Sequence, residues 1–375
     1  MENKNIWDKI QKGVFIIAEI GKNFIQTKEE KSVGEYLHNA CILVDKAAEA
    51  GVDAVKFQTH NYEDEQLNLN ITSPHFNGSD RYSWVKRNTL ATPVDKFWKP
   101  LKAYCESKNI IFFSTPMSRG AAQLLNEVGV DLWKVGSGDI LDFVMLDYIA
   151  QTGKPLIFSS GMSTLEETEQ ALNYIKSKNV PVALMHCVSK YPCPPEDANL
   201  ATLDFYQDKF SIPVGFSDHS LSIEPAMVAV ALGAKLIEKH FSLSRDLWGS
   251  DHKVSLLQGE MTELVRNIRE MESNPAKKNE IAGGDMEKKY MGVKGKILQD
   301  GEAVFRPLFR KSLMAGMDMK AGEILTQEKI YAMRPQAYAG GLPSEKYPEV
   351  LGKKIKKDLR KYDPIIWEIL EQTQN

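Results

Sequence analysis

Residues 214–252 read VGFSDHSLSIEPAMVAVALGAKLIEKHFSLSRDLWGSDH, and this stretch decides the fold of most of the chain. Two apolar runs each lead into polar residues that end in a histidine, His219 and His240. Between them, Pro225 stands where a helix would begin and Gly233 where it would end. The pattern predicts a strand–helix–strand unit, which places both strand ends on the same edge of a parallel sheet.

The two histidines are therefore expected to be neighbours, with Asp218, Asp251 and His252 on adjoining loops. A cluster of His and Asp at strand ends can hold a divalent metal ion. The alternative is that both imidazoles are structural and satisfied by hydrogen bonds. This stretch alone leaves the two interpretations open.

The same unit recurs along the first 270 or so residues, where short apolar runs alternate with amphipathic helical segments. The further predicted strands cover 14–18, 54–59, 110–115, 132–139, 155–161 and 182–188. The helix after the fifth strand is expected to begin at Ser163, with Glu166 completing a capping box. Eight strand–helix units predict a (β/α)8 barrel of the TIM type. An open doubly wound sheet is disfavoured because no GxGxxG follows the first strand.

The remaining parts of the chain differ from this pattern in composition and periodicity. Residues 60–92 form a polar connection too long to be an ordinary turn, so it is expected to be functional or to carry local structure. Residues 274–300 lack strong periodicity, as a linker does. The predicted domains are a barrel over 1–280, a linker over 281–305 and a small, mostly β domain over 306–375.

Composition excludes several classes of protein. The net charge of −3 offers no basis for binding nucleic acid or a membrane surface. No apolar run approaches the ~20 residues of a membrane span, and nothing at the N-terminus marks the chain for export. Four scattered cysteines do not form a disulfide framework, so a cytoplasmic location with reduced thiols is expected.

Polar side chains at the predicted strand ends suggest a phosphate site. Lys56 and Lys134 lie on different strands, with Thr115, Ser137 and Ser159 on neighbouring ones. Buried lysines need an anionic partner, and two lysines beside several hydroxyls would bind a phosphate. The alternative for each lysine is an ion pair with a glutamate inside the barrel.

Ordered motifs connect these residues to a known family. They are AEIG at 18–21, AVKFQT at 54–59, KVGSGD at 134–139, SSGMS at 159–163, HCVSKYP at 186–192, GFSDH at 215–219 and LIEKHF at 236–241. The chain resembles the sialic acid synthase family, which includes the legionaminic and pseudaminic acid synthases. The tail, with KAGEIL at 320–325 and MRP at 333–335, resembles the family's antifreeze-like (SAF) domain.

The resemblance implies condensation of phosphoenolpyruvate with an open-chain N-acetylated hexosamine to give a nonulosonic acid and phosphate. His219 and His240 match metal ligands for a divalent cation, with manganese expected and magnesium or cobalt as alternatives. Residues matching the phosphoenolpyruvate site are Lys56, Thr115, Lys134, Ser137, Ser159, Ser189, Tyr191 and Ser217. Glu19, Asp139 and Asp251 match the catalytic carboxylates, and Glu19, Gln58, Asp251 and Arg334 match the sugar site.

The family arginine reaches sugar bound in the partner subunit, so Arg334 implies a domain-swapped homodimer. Four departures lie where the sugar would bind, and one of them is the long connection over residues 60–92. Lys22-Asn23-Phe24-Ile25 replaces the usual NHNG, position 139 is Asp where several members have Glu, and Gln336 replaces the glycine of RPG. The exact sugar is therefore left open.

Other functions fit the residues less well. A different phosphoenolpyruvate-dependent sugar-acid synthase would share the barrel but not the antifreeze-like tail. A metal-dependent barrel hydrolase or epimerase would need no paired lysines. A non-catalytic saccharide-binding protein would have no reason to keep both histidines and both lysines.

Overall fold

The computed structural model describes residues 3–72 and 80–371. Within them, eight parallel strands form one sheet in the order β3-β2-β1-β8-β7-β6-β5-β4. The strands are β1 (Phe15–Gly21), β2 (Ala54–Thr59), β3 (Ile111–Pro116), β4 (Trp133–Val135), β5 (Leu156–Ser159), β6 (Val182–Cys187), β7 (Val214–Asp218) and β8 (Leu236–His240). Strands β3 and β4 end this order and lie side by side, so the sheet closes into the predicted (β/α)8 barrel.

Helices follow the strands and cover the outside of the barrel. The first eleven are α1 (Asn3–Lys12), α2 (Val33–Glu49), α3 (Tyr62–Glu65), α4 (Arg81–Ala91), α5 (Lys99–Ser107), α6 (Arg119–Val128), α7 (Phe143–Gln151), α8 (Leu165–Lys176), α9 (Ala201–Phe210), α10 (Glu224–Ala231) and α11 (Gln258–Ser273). The predicted helix between the two histidines is α10, and the turn that follows it contains Gly233 at φ +97°. That left-handed conformation is one that glycine adopts without strain.

The inside of the barrel is filled from its N-terminal end. Phe15, Ile17 and Leu236 point inward from β1 and β8, and Ile6 and Ile10 of α1 pack beneath them. Helix α1 has no counterpart among the elements predicted from the sequence. Because apolar side chains occupy this end, the polar strand ends open only at the opposite, C-terminal face.

Some boundaries differ from expectation for local reasons. The capping box of α8 is formed by Thr164 and Glu167, because Ser163 is occupied by a hydrogen bond to the Gly161 carbonyl at 3.1 Å. Strand β4 stops at Val135, since residues 137–139 turn into a short 3-10 helix. The long connection after β2 contains α3 and α4, and its residues 73–79 lie outside the described part of the chain.

The predicted linker is packed against the barrel. It contains α12 (Pro275–Ile281), α13 (Asp285–Tyr290) and α14 (Asp300–Ala303). The backbone amides of Leu200 and Ala201, at the start of α9, donate to the carbonyls of Tyr290 and Met291 at 2.9 and 2.8 Å. The sequence shows no strong period here because short helices with few apolar residues produce little periodicity.

The C-terminal domain follows α15 (Arg306–Phe309). Strands β9 (Ser312–Ala315) and β10 (Ile330–Met333) pair in antiparallel fashion, and α16 (Gln336–Ala339) and α17 (Tyr347–Val350) complete the regular elements. Isolated bridges such as Met314 to Pro364 extend the pairing. This is the small, mostly β module that the sequence predicts.

Candidate active site

A cavity of about 240 Å³ opens at the C-terminal ends of the barrel strands. Alternation along the strands explains its lining: side chains that follow the inward apolar residues by two positions also point inward. Every predicted site residue lines it: Glu19, Lys56, Gln58, Thr115, Lys134, Ser137, Asp139, Ser159, Ser189, Tyr191, Ser217, His219, His240, Asp251 and Arg334. The topology therefore brings together residues that are up to 315 positions apart in the chain, from Glu19 to Arg334.

One part of the cavity, here called the lysine end, is built around Lys56 and Lys134. Lys56 Nζ lies 2.6 Å from Glu19 and donates to Thr115 Oγ1 at 3.1 Å. Lys134 Nζ lies 3.2 Å from Glu238, which is also 3.6 Å from Lys56. Both lysines thus pair with glutamates inside the barrel, as the alternative interpretation had it. The hydroxyls of Ser137, Ser159 and Ser217 line the same part of the cavity.

The two glutamates differ in protonation. Burial raises the pKa of Glu19 to about 7, and the charge of Lys56 only partly opposes this. Burial acts on Glu238 in the same direction, but Lys134 and Lys56 outweigh it and lower its pKa to about 2. Glu238 is therefore the fixed counter-ion of the lysines, whereas Glu19 can exchange a proton near neutral pH.

The two histidines face each other across the cavity, with ring centroids 5.5 Å apart. His219 Nδ1 donates to the Val188 carbonyl at 2.8 Å. Burial alone would lower the pKa of His219, but Cys187, which hydrogen-bonds the His219 side chain, outweighs burial and raises it. His240 Nδ1 is buried without a hydrogen-bond partner among the described residues, and burial lowers the pKa of His240 to about 4. A neutral imidazole with a free nitrogen, as at His240, has the donor chemistry that a divalent metal requires.

The neighbours of the histidines differ in part from expectation. Asp218 points to the outside of the barrel, where it pairs with Lys239 at 3.0 Å, because β7 alternates sides between Ser217 and Asp218. Asp251 and His252 do line the cavity. Among the residues described, no group of three or more His, Cys, Asp and Glu side chains is arranged to hold a metal ion.

The opposite part of the cavity, here called the arginine end, contains Arg334. Its guanidinium hydrogen-bonds the carboxylate of Asp139, which also lies 2.9 Å from Lys311. The backbone of Arg334 pairs with residues 65–67 after α3: its N–H donates to the Glu65 carbonyl and its carbonyl accepts from Leu67 N, both at 2.9 Å. The resemblance implied that this arginine serves a partner's site, but here Arg334 reaches the cavity of its own chain.

Sequence and structure comparisons agree with this geometry. Residues 43–280 match the model of the NeuB family, and residues 310–371 match that of the SAF domain. The chain belongs to the NeuB family. It is 33% identical to N,N'-diacetyllegionaminic acid synthase of Campylobacter jejuni, covering 95% of this chain and all of the relative. It is 32% identical to human N-acetylneuraminate-9-phosphate synthase, covering 97% of this chain and 95% of the relative.

A solved structure gives the same picture. The spore coat polysaccharide biosynthesis protein spsE of Bacillus subtilis superposes with a TM-score of 0.73 at 30% sequence identity, over 96% of both chains. The likeness covers the barrel and the C-terminal domain together.

Sequence reasoning missed several lining residues of this NeuB-family chain. Glu238 could have been found, because it precedes His240 by two positions and so points to the same side of β8. Cys187, at the end of β6, lines the cavity beside Ser137 and His219. Burial alone would raise the pKa of the Cys187 thiol, but the His219 imidazole outweighs it and lowers that pKa.

A second missed group lies at the arginine end. Lys22 Nζ contacts His60 Nε2 and lies 3.7 Å from the centre of the Trp84 ring. His60 Nδ1 lies 2.5 Å from Glu65. Burial lowers the pKa of His60 to about 4, so the ring is neutral, with Nδ1–H donating to Glu65 and Nε2 accepting from Lys22. Loop residues carry this group, and no strand periodicity marks them.

No helix among the described residues is long and apolar enough to cross a membrane.

Proposed function

We propose that this chain condenses phosphoenolpyruvate with the open-chain form of an N-acetylated hexosamine, giving a nonulosonic acid and phosphate. The sugar is N-acetylmannosamine or a diacetamido-trideoxyhexose. The observation that carries the proposal is that one cavity holds both the lysine end and the facing pair His219 and His240. Membership of the NeuB family supports it, since relatives named for three different nonulosonic acids each cover at least 93% of this chain.

The lysine end suits the phosphate and carboxylate of phosphoenolpyruvate. Lys56 and Lys134 supply charge, and Thr115, Ser137 and Ser159 supply hydroxyl donors. Tyr191, stacked on His219 with ring centroids 4.0 Å apart, would cover the bound molecule together with Ser189 and Ser217. On binding, the anion would draw the two ammonium groups away from Glu19 and Glu238.

His219 and His240 would hold a divalent cation, for which manganese is proposed. When bound, the cation would supply Lewis acidity at the aldehyde oxygen of the sugar. The fit rests on two observations: the two rings share one cavity with centroids 5.5 Å apart, and the buried Nδ1 of His240 has no partner among the described residues.

The reaction then balances as follows. The C3 carbon of phosphoenolpyruvate forms a bond to the aldehyde carbon, and the aldehyde oxygen takes up a proton to become a hydroxyl. Water adds at C2 and loses a proton. The new C2 hydroxyl then loses its proton as the keto group forms, the bond from C2 to the phosphate oxygen breaks, and the departing phosphate takes up a proton. Lys56 and Lys134 stabilise the charge of the departing phosphate. Glu19, Gln58 and Asp251 face the sugar, and one of the carboxylates takes the proton lost by the attacking water.

The test measures phosphate release from phosphoenolpyruvate with manganese and a panel of acetamido sugars, with phosphoenolpyruvate alone as the blank. We expect release with at least one sugar, loss of release with EDTA, and recovery when manganese or magnesium is added. His219→Ala and His240→Ala should each abolish it. No release with any sugar by folded, metal-loaded protein would refute the proposal, and release only with a short aldose phosphate would favour the other type of sugar-acid synthase.

We also propose a homodimer that exchanges its C-terminal domains. Since Arg334 reaches its own cavity here, exchange would replace this contact by an equivalent one between chains. Light scattering coupled to gel filtration measures the mass, and a mass of one chain, 42.2 kDa, would rule the exchange out.

A further inference from the structure

The segment just before the C-terminal domain inserts a buried carboxylate into the rim of the barrel. Glu302 of α14 is fully buried, and its Oε1 accepts hydrogen bonds from the backbone N–H groups of Met162 at 2.9 Å and Ser189 at 2.8 Å. Met162 follows β5, and Ser189 follows β6. A single side chain therefore ties together two of the loops that form the lysine end. Glu302 lies between the two regions matched by the family models.

Arg310 reaches the same rim from the other side. Its guanidinium donates to the Met162 carbonyl at 2.7 Å, to Ser163 Oγ at 2.9 Å and to the Ser137 carbonyl at 3.2 Å. Ser137 follows β4, so Arg310 joins the loop after β4 to the loop after β5. Arg310 is itself 6% exposed, which shields these hydrogen bonds from water.

Met162 shows why such support is needed. Its φ of +52° is left-handed, a conformation that costs a residue with a side chain roughly 1–2 kcal/mol. Its N–H is held by Glu302, and its carbonyl is held by Arg310 and by Arg306, the latter at 2.9 Å. Both polar groups of the strained residue are thus fixed from outside the barrel.

The backbone groups that Glu302 and Arg310 hydrogen-bond belong to residues whose hydroxyls line the lysine end, or lie next to such residues. Space there is tight: a Cβ added to Gly161 would collide with the hydroxyls of Ser137 and Ser189. A small shift of either loop would move these hydroxyls relative to one another, and misplaced donors lose most of their binding energy.

We propose that Glu302 and Arg310 are positioning residues, which hold the hydroxyls of Ser137 and Ser189 in the geometry that binds phosphoenolpyruvate. The inference rests on the proposed function for the identity of the ligand. Neither residue lines the cavity, so each acts through the loops. The hydrogen bonds that Glu302 makes to Met162 and Ser189 lie at the lysine end, and affinity for the sugar should therefore be almost independent of Glu302. Arg310 also donates to the Gly138 carbonyl at 3.4 Å, next to Asp139, so only its effect on phosphoenolpyruvate is used as a test.

The main test compares Glu302→Ala with Glu302→Gln in steady-state phosphate release, with the other substrate saturating. Glu302→Ala should raise the KM for phosphoenolpyruvate about 10-fold or more, since losing two hydrogen bonds to buried amides costs at least ~1.4 kcal/mol. The KM for the sugar should change less than about twofold. Glu302→Gln keeps an oxygen acceptor and should restore the KM for phosphoenolpyruvate to within about threefold.

Two further variants complete the design. Glu280→Ala removes an exposed carboxylate from the same connecting segment and should leave both KM values unchanged. Arg310→Lys keeps the positive charge but loses the planar guanidinium that donates to several acceptors at once, and it should raise the KM for phosphoenolpyruvate as Glu302→Ala does. This variant tests the positioning role if Glu302→Ala does not fold.

The outcomes separate this inference from the proposed function. If the wild-type protein turns over and the variants keep its KM for phosphoenolpyruvate, the positioning role is wrong and the function stands. If both KM values rise equally, or if Glu302→Gln does not restore the KM for phosphoenolpyruvate, Glu302 contributes only to the stability of the fold. If the wild-type protein releases no phosphate with any sugar, the proposed function itself fails.

Discussion

The lysine end and the arginine end of the cavity differ in what carries their side chains. Most residues of the lysine end lie on β strands or within two positions of a strand end, where the closed sheet fixes their direction. Residues of the arginine end lie on the connection after β2, on the loops after β1 and β4, and on the C-terminal domain. A barrel that keeps its strands and varies its loops can keep one substrate and change the other. The departures from the family pattern, at Lys22, Asp139 and Gln336, all fall at or next to the arginine end.

The largest effect is expected at the lysine end. Lys134→Met should lower kcat/KM for phosphoenolpyruvate about 1000-fold, because it removes a cation from the proposed phosphate site and leaves Glu238 with less compensation. Lys239→Met is the matched control: Lys239 is equally buried but pairs with Asp218 on the outside of the barrel. It should lower the denaturation midpoint and leave the KM for phosphoenolpyruvate unchanged. Equal losses of activity in the two variants would contradict the special role of the lysine end.

The arginine end should give a smaller and differently placed effect. Arg334→Gln should raise the KM for the sugar about 100-fold, with the KM for phosphoenolpyruvate within about twofold, since a charged hydrogen-bond donor is worth roughly 2–3 kcal/mol. Asp139 keeps Lys311 as a partner in this variant, so the fold should survive. Arg360→Gln, on the exposed surface of the same domain, provides the control. If only the KM for phosphoenolpyruvate rises, the assignment of the two ends of the cavity to different substrates is wrong.

The division also explains what the sequence could predict. The eight strands, the facing histidines and the lysines follow from period-two alternation and from the rule that parallel strands end on one face. Glu238 follows from the same rule. The group of Lys22, His60 and Trp84 does not, because its members meet through α4 and loop conformations that no local pattern encodes. The role of α14 is equally hidden, since Glu302 becomes buried only through contacts with loops more than 100 residues away in the chain.

At low pH, the packing of the arginine end should weaken before the barrel unfolds. His60 faces Glu65, Lys22 and Arg81, and its pKa of about 4 lies below the 6.5 of an exposed histidine. When α4 and the connection after β2 open, His60 is exposed and takes up a proton below about pH 6.5. While they are closed over the cavity, His60 takes up this proton only at about pH 4. The free energy that favours the closed conformation therefore falls as the pH falls through this window. Glu65, with a pKa lowered to about 2 by His60 against the effect of burial, stays ionised throughout.

Between pH 7 and pH 5 the free energy that favours the closed conformation should fall by about 2 kcal/mol. This corresponds to roughly 30-fold faster amide exchange in α4 after correction for intrinsic rates. Hydrogen–deuterium exchange measures it, and α8, which contains no histidine, serves as the internal reference. His60→Gln should remove the pH dependence of α4. A pH dependence of α4 that survives this change would assign the effect to another group.

The smallest effect concerns Lys22, which this chain carries where the family motif is altered. Its amino group lies over the Trp84 ring and against a neutral His60, and burial lowers its pKa well below the usual range. Charged or neutral, the amino group can donate a hydrogen bond into the cavity. Lys22→Gln should raise the KM for the sugar about 10-fold, the value of one hydrogen bond, and leave the KM for phosphoenolpyruvate unchanged. Lys28→Gln, on an exposed part of the same loop, should change neither KM. If Lys22→Gln instead changes which acetamido sugar is preferred, Lys22 sets the choice of substrate as well as its affinity, and an unchanged KM for every sugar would place Lys22 outside the sugar site.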